Sequence, residues 1–270
     1  MIGQSSKKEI PSVNDMQIQH EALRIPTGVV NFDRLVNGGF MRGKTYLVAG
    51  ETGTGKTLFS LKFLLTGFEN QEPGIYIPFD ETIDGTIEGA LTMGWDLLDP
   101  IKKGMLDIVD VRPFFAEVVR EKFMAETMKQ IIGELKRRAD RIGAKRMVVD
   151  PVAPLLGEVI DLSWTRDYIR AFVAAIEKFI GTTTVITSEI PTGSNALSRF
   201  GVEEFLAAGI VRLSIERMRH TNIRTIMVRK MRWTRVDLAP YIYDIKPMDG
   251  LVIGEDLRTF MKKSTSGQER

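Results

Sequence analysis

The run Gly50-Glu51-Thr52-Gly53-Thr54-Gly55-Lys56-Thr57 constrains this chain more than any other feature, because it fits the spacing G-x-x-x-x-G-K-[ST]. Glycines at those positions let consecutive backbone N–H groups turn inward around an anion, and a helix starting there adds the favourable potential of its N-terminus. The flanks fit. Thr45 to Ala49 is a short β-rich run, and Thr57 to Leu65 (TLFSLKFLL) is apolar almost all round, as a buried helix is. A chance match somewhere in the chain has odds on the order of one in a hundred at ordinary glycine usage, and the strand before with the helix after lowers them further.

Along the rest of the chain, β-rich runs alternate with helical stretches, the pattern of a mostly parallel sheet covered by helices. Gly74 to Phe79 reads as a second strand and is followed by a helix to about Met93; Leu106 to Val111 reads as a third strand. Glu117 to Ile142 has the periodicity of a long amphipathic helix, with Phe123, Met128, Ile131, Ile132 and Leu135 on its apolar side. Arg146 to Asp150, a helix over Trp164 to Phe179, and Thr183 to Ser188 complete the alternation. From Gly209 the pattern changes. Gly209–Glu216, Arg224–Met231 and Tyr241–Ile245 have no helical stretches between them, so an antiparallel β extension is expected at the C-terminal side. Residues 1–22 and 262–270 are polar and aperiodic and are expected to be flexible, leaving 23–261 as one domain.

The glycine-rich run assigns candidate roles. Gly50 to Thr57, with Leu58 opening the helix, would hold a nucleotide's phosphates; Lys56 would reach the β- and γ-phosphates, and the Thr57 hydroxyl would bind Mg²⁺. Asp150 closes the buried run Met147-Val148-Val149, which is how a second residue is set beside the metal's water shell. Asp80 and Glu81 end the second strand, where a group that orients or deprotonates an attacking water can reach the γ-phosphate. In a regular strand, adjacent residues point to opposite sides, so one of the two is expected to face the phosphate. Ser188 and Glu189 end the fifth strand and suit either a γ-phosphate sensor or a plain strand end. Lys230 and Arg232 share one face of a late strand, a spacing that suits two cations aimed at one anion and equally a solvated basic strand.

Composition removes several alternatives. The chain has no cysteine, which excludes disulfides, thiolate metal sites and a thiol nucleophile, and its two histidines are too far apart for a zinc site. No apolar run approaches the roughly 20 residues of a membrane span, and the N-terminus lacks the apolar core of a signal peptide, so a cytoplasmic location is expected. Lys and Arg exceed Asp and Glu by only two, 37 against 35, so global charge points to neither nucleic acid nor an anionic membrane.

Several longer stretches carry a resemblance: IPTGVVNFDRLVNGGFMRGKTYLVAGETGTGKT, YIPFDET, RMVVDP, TSEIP, FGVEEFLAAGIVRL, and KMR followed by PYIYDIKPMDGLVI. Together they resemble the KaiC-like ATPases, archaeal-type relatives of the RecA and RadA recombinases, over nearly the whole folded domain. The resemblance implies a RecA-like P-loop NTPase fold, Mg-ATP as ligand, and a ring oligomer, hexameric in the favoured form. It also sets Asp80 and Glu81 at the position of a catalytic glutamate pair, and Lys230 and Arg232 at that of cations reaching a neighbouring subunit's site. Asp80 stands where the family usually has Glu, and Pro151 where it usually has Ser. The leading functional expectation is an ATPase acting as a regulatory switch toward a protein partner. A DNA-acting recombinase paralogue and a nucleotide-dependent scaffold with negligible turnover are the alternatives. The stretches 151–166 and 190–204 each carry one Arg against two acids, which argues against strong DNA binding, whereas the bases Arg212, Arg217, Arg219, Arg224, Arg229, Lys230, Arg232 and Arg235 favour it. Phe172-Val173-Ala174-Ala175 matches the recombinase polymerisation pattern but falls inside an expected core helix. Ser264, Thr265 and Ser266 offer hydroxyls in the tail, with nothing else to mark them for phosphorylation.

Overall fold

A computed structural model describes residues 23–115, 121–153, 162–191, 207–218 and 221–266. Its first strands, β1 (Arg24–Ile25) and β2 (Phe40–Met41), form a small antiparallel pair beside the main sheet. The nine strands of that sheet are β3 (Thr45–Gly50), β4 (Gly74–Pro78), β5 (Leu106–Ile108), β6 (Arg146–Asp150), β7 (Thr183–Glu189), β8 (Gly209–Met218), β9 (Thr221–Met231), β10 (Tyr241–Lys246) and β11 (Gly250–Asp256). Across the sheet the order is β11-β10-β9-β8-β3-β7-β6-β4-β5. Strands β3 to β8 pair in parallel, and the antiparallel pairing begins between β8 and β9. This is the mostly parallel sheet with an antiparallel C-terminal extension that the sequence pattern implies.

Period-two alternation divides the core in two. Tyr46 and Val48 of β3 face a cluster with Phe59, Phe63 and Leu64 of helix α1 (Lys56–Glu69) and with Phe32 and Phe40 from the segment ahead of β3. Leu47 and Ala49 face the other way, onto Ile131 and Leu135 of a long helix and Phe172 of the next. In chain order the further helices are α2 (Ile83–Thr92), α3 (Leu98–Lys102), α4 (Glu121–Ile142), α5 (Leu162–Ala175) and α6 (Leu257–Ser266). Phe172 and Val173 are buried, whereas Ala174 is exposed and Ala175 half-buried, so the first half of the recombinase-like FVAA run is core. A π-helical turn, Ile176–Ile180, extends α5. Among the described residues no helix is long and apolar enough to cross a membrane.

Two boundaries differ from the sequence reading. Helix α6 carries the chain through Ser266, into the segment expected to be a flexible tail, because Asp256 caps it by accepting from the Thr259 N–H at 3.0 Å. Strand β4 stops at Pro78, which lacks the N–H needed to continue a ladder, so Asp80 and Glu81 lie beyond the strand. Phe123 has its side chain outside the described residues. So do residues 1–22 and most of the two acid-bearing stretches after β6 and β7.

The base of the parallel half is held by a buried ion pair. Arg146 has no exposed surface; its guanidinium donates to Glu72 Oε2 at 2.6 and 2.9 Å, to the carbonyls of Pro26 and Phe63, and lies 4.7 Å over the Phe63 ring. Arg42 reaches the other Glu72 oxygen at 2.6 Å. Burial works to raise the Glu72 carboxyl, but the hydrogen bonds from Arg146 and Arg42 overcome it and hold it below its ordinary value.

Candidate functional site

The C-terminal ends of β3, β4, β6 and β7 open into a cleft of about 370 Å³. Its floor is Thr52, Gly53, Gly55, Lys56 and Thr57; around it stand Tyr76, Pro78, Asp80, Glu81, Asp150, Pro151 and Glu189. Gly53 and Gly55 take φ of 79° and 87°, which side chains resist, and so let the loop curl between the end of β3 and the first turn of α1. The remaining motif residues shape the loop without lining the cleft. Thr54 is buried and donates its hydroxyl to the Glu51 carbonyl at 2.7 Å, while Leu58 packs against the first core face. Gly50 and Glu51 offer their carbonyls to the Lys56 ammonium, at 3.0 and 3.1 Å.

Among the described residues lining the cleft Lys56 is the one cation, facing the carboxylates of Asp80, Glu81, Asp150 and Glu189. Burial lowers its affinity for a proton, and Glu189, Asp150 and Asp80 partly restore it. A cleft with this balance repels a bare polyphosphate; a divalent cation entering with the phosphates offsets the carboxylates. Among the described residues no three acids or histidines are grouped to hold a metal by themselves. The oxygens of Thr57 and Asp150 fit a Mg²⁺ that keeps its waters and takes its other ligands from phosphate.

Asp150 is fixed from both sides. Tyr76 on β4 donates its hydroxyl to Oδ2 at 3.0 Å, and Thr187 on β7 donates to Oδ1. Burial and the Asp150 charge push the Tyr76 phenol well above its ordinary value, so it stays a donor. Neither partner was singled out from sequence. The available signal is a polar side chain inside an otherwise apolar buried strand, since such a group must find a hydrogen-bond partner.

Both Asp80 and Glu81 line the cleft, which corrects the expectation that only one would face it: the strand whose alternation separates neighbours has already ended. Glu189 lines the cleft and is paired in register with Gly50, whereas Ser188 is fully buried beside Ala49 and takes no part in the lining. Lys230 and Arg232 are not brought to this cleft. Lys230 pairs with Ile210, which pairs with Leu47 near the start of β3, so the two cations lie toward the opposite end of the sheet. There Arg232 lines a second cavity, of about 320 Å³, with Lys44, Arg170 and Trp233. Two members of the basic cluster are drawn away from Arg232: Arg212 Nε is shielded from solvent, and Arg224 donates to the glycine-rich loop at Gly53.

Comparison with known proteins adds three findings. A family model described as "ATPase: KaiC" matches residues 25–258. The circadian clock oscillator protein KaiC of Synechococcus elongatus is 32% identical over 229 residues, and the circadian clock protein KaiC2 of a Synechocystis strain is 31% identical over 216. These alignments take in 84% and 79% of this chain but only 44% and 37% of the relatives, so the chain spans less than half their length. The crystal structure of a KaiC-like protein from the archaeon Pyrococcus horikoshii OT3 superposes with a TM-score of 0.74 at 31% identity, covering 86% of this chain and 98% of that one.

Proposed function

Because the chain belongs to the KaiC ATPase family, we propose that it binds Mg-ATP in the cleft above β3 and hydrolyses it at sites shared between the subunits of a ring, with six subunits favoured. The observation that carries this reading is the separation of Lys230 and Arg232 from their own phosphate loop. Lys230 sits level with Leu47, three residues before Gly50 and two strands aside. That is roughly 10 Å back along the strands and about as far across the sheet. Cations at one end of the sheet and an acid-rich phosphate cleft at the other are complementary between copies stacked head to tail, and heterologous contacts of that kind form a ring where the rotation closes and a filament where it does not. Trp233, 88% exposed and held at φ 58°, extends the same edge with an apolar contact surface.

In this reading the N–H groups of the loop and Lys56 bind the phosphates. Thr57 and Asp150 hold the Mg²⁺, which supplies charge neutralisation as the phosphoryl group transfers. Glu81 or Asp80 takes the proton from the water that attacks the γ-phosphorus while the bond to the ADP oxygen breaks. Lys230 and Arg232 of the adjacent subunit stabilise the charge on the departing oxygens, and Glu189 relays the state of the γ-phosphate to the segment after β7. The nucleotide state then acts as a regulatory switch toward a protein partner, in a cytoplasmic setting. Recombinase-like DNA action has less support, since the basic residues are divided between the sheet edge and the phosphate loop.

The test is ATP turnover and mass, with and without nucleotide, for the parent, Lys230→Ala, Asp80→Ala/Glu81→Ala, and an equal mixture of the two variants. Each variant alone should be inactive, and the mixture should recover part of the activity in a ring-sized species. A parent that stays monomeric removes the shared site. A parent that forms rings and retains ATP uncleaved is a scaffold instead.

A further inference from the structure

Two carbonyls of the phosphate loop are held from outside it, by neighbouring strands of the antiparallel extension. Tyr243 on β10 donates its hydroxyl to the carbonyl oxygen of Thr54. Arg224 on β9 donates from Nε to the carbonyl oxygen of Gly53 at 3.3 Å. Tyr243 and Arg224 are direct partners in the β9–β10 register, so their side chains leave the sheet side by side on one face. The carbonyls they reach belong to consecutive residues. The hairpin of β10 and β11 closes behind the loop: a methyl group added to Gly55 would stand 3.2 Å from Ile245 Cδ1 and 3.4 Å from Leu251 Cδ1. Its far end is tied down, with the Met248 N–H donating to Met93 O and Trp95 Nε1 to Met248 O, each at 2.8 Å.

We propose that Tyr243 and Arg224 are positioning residues of the phosphate site, gripping the loop so that its carbonyl oxygens stay turned away from the bound anion. A planar trans peptide points its C=O and its N–H in opposite directions, so holding the Thr54 oxygen outward aims the Gly55 N–H inward. An oxygen swung into the cleft would set a negative dipole beside the phosphates, and the flexible glycines make that rotation accessible unless something opposes it. Lys56 holds the Gly50 and Glu51 carbonyls only until its ammonium is drawn to a ligand; Tyr243 and Arg224 act from outside the cleft, where a bound nucleotide does not compete. Burial raises the Tyr243 phenol, which therefore stays protonated and able to donate. The role is distinct from that of Lys230 and Arg232, which sit on the same extension but at its other end.

This inference rests on the reading of the cleft as a phosphate site, and the experiment separates the two. Affinities for ATP and ADP, steady-state kinetics and thermal midpoints are measured on the full chain for the parent, Tyr243→Phe and Arg224→Gln. Tyr243→Phe keeps the buried ring and deletes only the hydroxyl. It should bind both nucleotides roughly five- to tenfold more weakly, the effect of one lost hydrogen bond in the loop. KM should rise by the same factor with kcat unchanged, because the bed serves ground state and transition state alike. Arg224→Gln should move in the same direction by a smaller factor with the parent's thermal midpoint, while Tyr243→Phe should lower the midpoint by only a few degrees, the effect of one buried carbonyl left unpaired. If the parent binds and Tyr243→Phe binds equally well, the grip is disproved while the phosphate site survives. A loss of affinity that the unfolded fraction at the assay temperature fully accounts for assigns Tyr243 to the core and also overturns it. A parent that binds neither nucleotide removes the phosphate site and the grip together.

Discussion

On the parallel side of the sheet, β3, β4 and β6 are buried along their whole length, whereas on the antiparallel side β9 and β10 mix exposed, half-buried and buried positions. The difference follows from what covers each. Helices lie on both faces of the parallel strands, so those strands read as continuous apolar runs; the extension has one face on the core and one free to carry polar groups. The parallel half therefore bears the stability and the fixed ends of the site. The extension carries Arg224 and Tyr243 toward its own phosphate loop, and Lys230 and Arg232 toward the opposite end of the sheet. If that division holds, damage to the two halves should be separable: lost chemistry from one, lost folding from the other.

The largest effect should come from the extension. Lys230→Ala and Arg232→Ala should each lower ATP turnover by about a thousandfold or more, the usual effect of removing a cation that stabilises phosphoryl-transfer charge. The thermal midpoint of each should stay with the parent, because Arg232 is exposed and Lys230 lies at the end of its strand. Turnover and unfolding measured on the same samples decide it. A variant that loses activity only in proportion to its folded fraction would merge the two halves and break the comparison.

Next in size is the buried ion pair under the parallel half. Arg146→Ala leaves Glu72 without its main partner in an apolar setting and should cost about 3–5 kcal/mol in denaturant unfolding. Arg146→Met with Glu72→Leu removes both charges and should recover most of that loss, since a buried pair adds little over well-packed apolar side chains. Nucleotide affinity should follow the folded fraction in all of these variants. Independent loss of binding would place Arg146 in the site as well as in the scaffold.

The same division governs what was legible in the sequence. Gly50 to Thr57 and the apolar strand ending on Asp150 could be read because their chemistry is local: a loop, a strand end, a helix start. The cross-chain contacts could not. Tyr76 and Thr187 meet at Asp150 only because β4 and β7 flank β6, and Tyr243 meets Thr54 only through the register of β10 on β9. Strand order and register are set by packing across the whole sheet, which no single segment records. Local rules also misjudged Asp80 and Glu81, since period-two alternation was extended past Pro78, where the strand ends.

A smaller effect tests whether the parallel half contributes to chemistry as well as to folding. Thr187→Val and Tyr76→Phe each remove one hydrogen bond that orients the Asp150 carboxylate. Groups that orient a metal-binding residue are worth about tenfold to a hundredfold in metal affinity or activity, and the lower end is expected here because each variant leaves the other bond in place. The Mg²⁺ concentration giving half-maximal turnover should rise, with ATP binding in the absence of metal unchanged. No change in Mg²⁺ dependence would mean that the register of β6 alone fixes Asp150.

The smallest effect concerns pH and again belongs to the parallel half. The Glu72 carboxyl is held below its ordinary value of 4.5, because the hydrogen bonds from Arg146 and Arg42 outweigh burial. A carboxyl lowered in the folded state binds its proton more readily once unfolded, so protonation favours unfolding. Its contribution is therefore complete above the ordinary glutamate range and is lost as pH falls through that range to the lower folded value. Thermal midpoints measured from neutral pH down to about pH 3 should decline in the parent with this loss as one component, alongside the other carboxylates. Glu72→Gln should begin from a lower midpoint at neutral pH, having lost the ion pair, and then decline less steeply, so that the two curves converge in acid. Parallel curves would show that Glu72 stays ionised throughout and contributes nothing to the acid sensitivity.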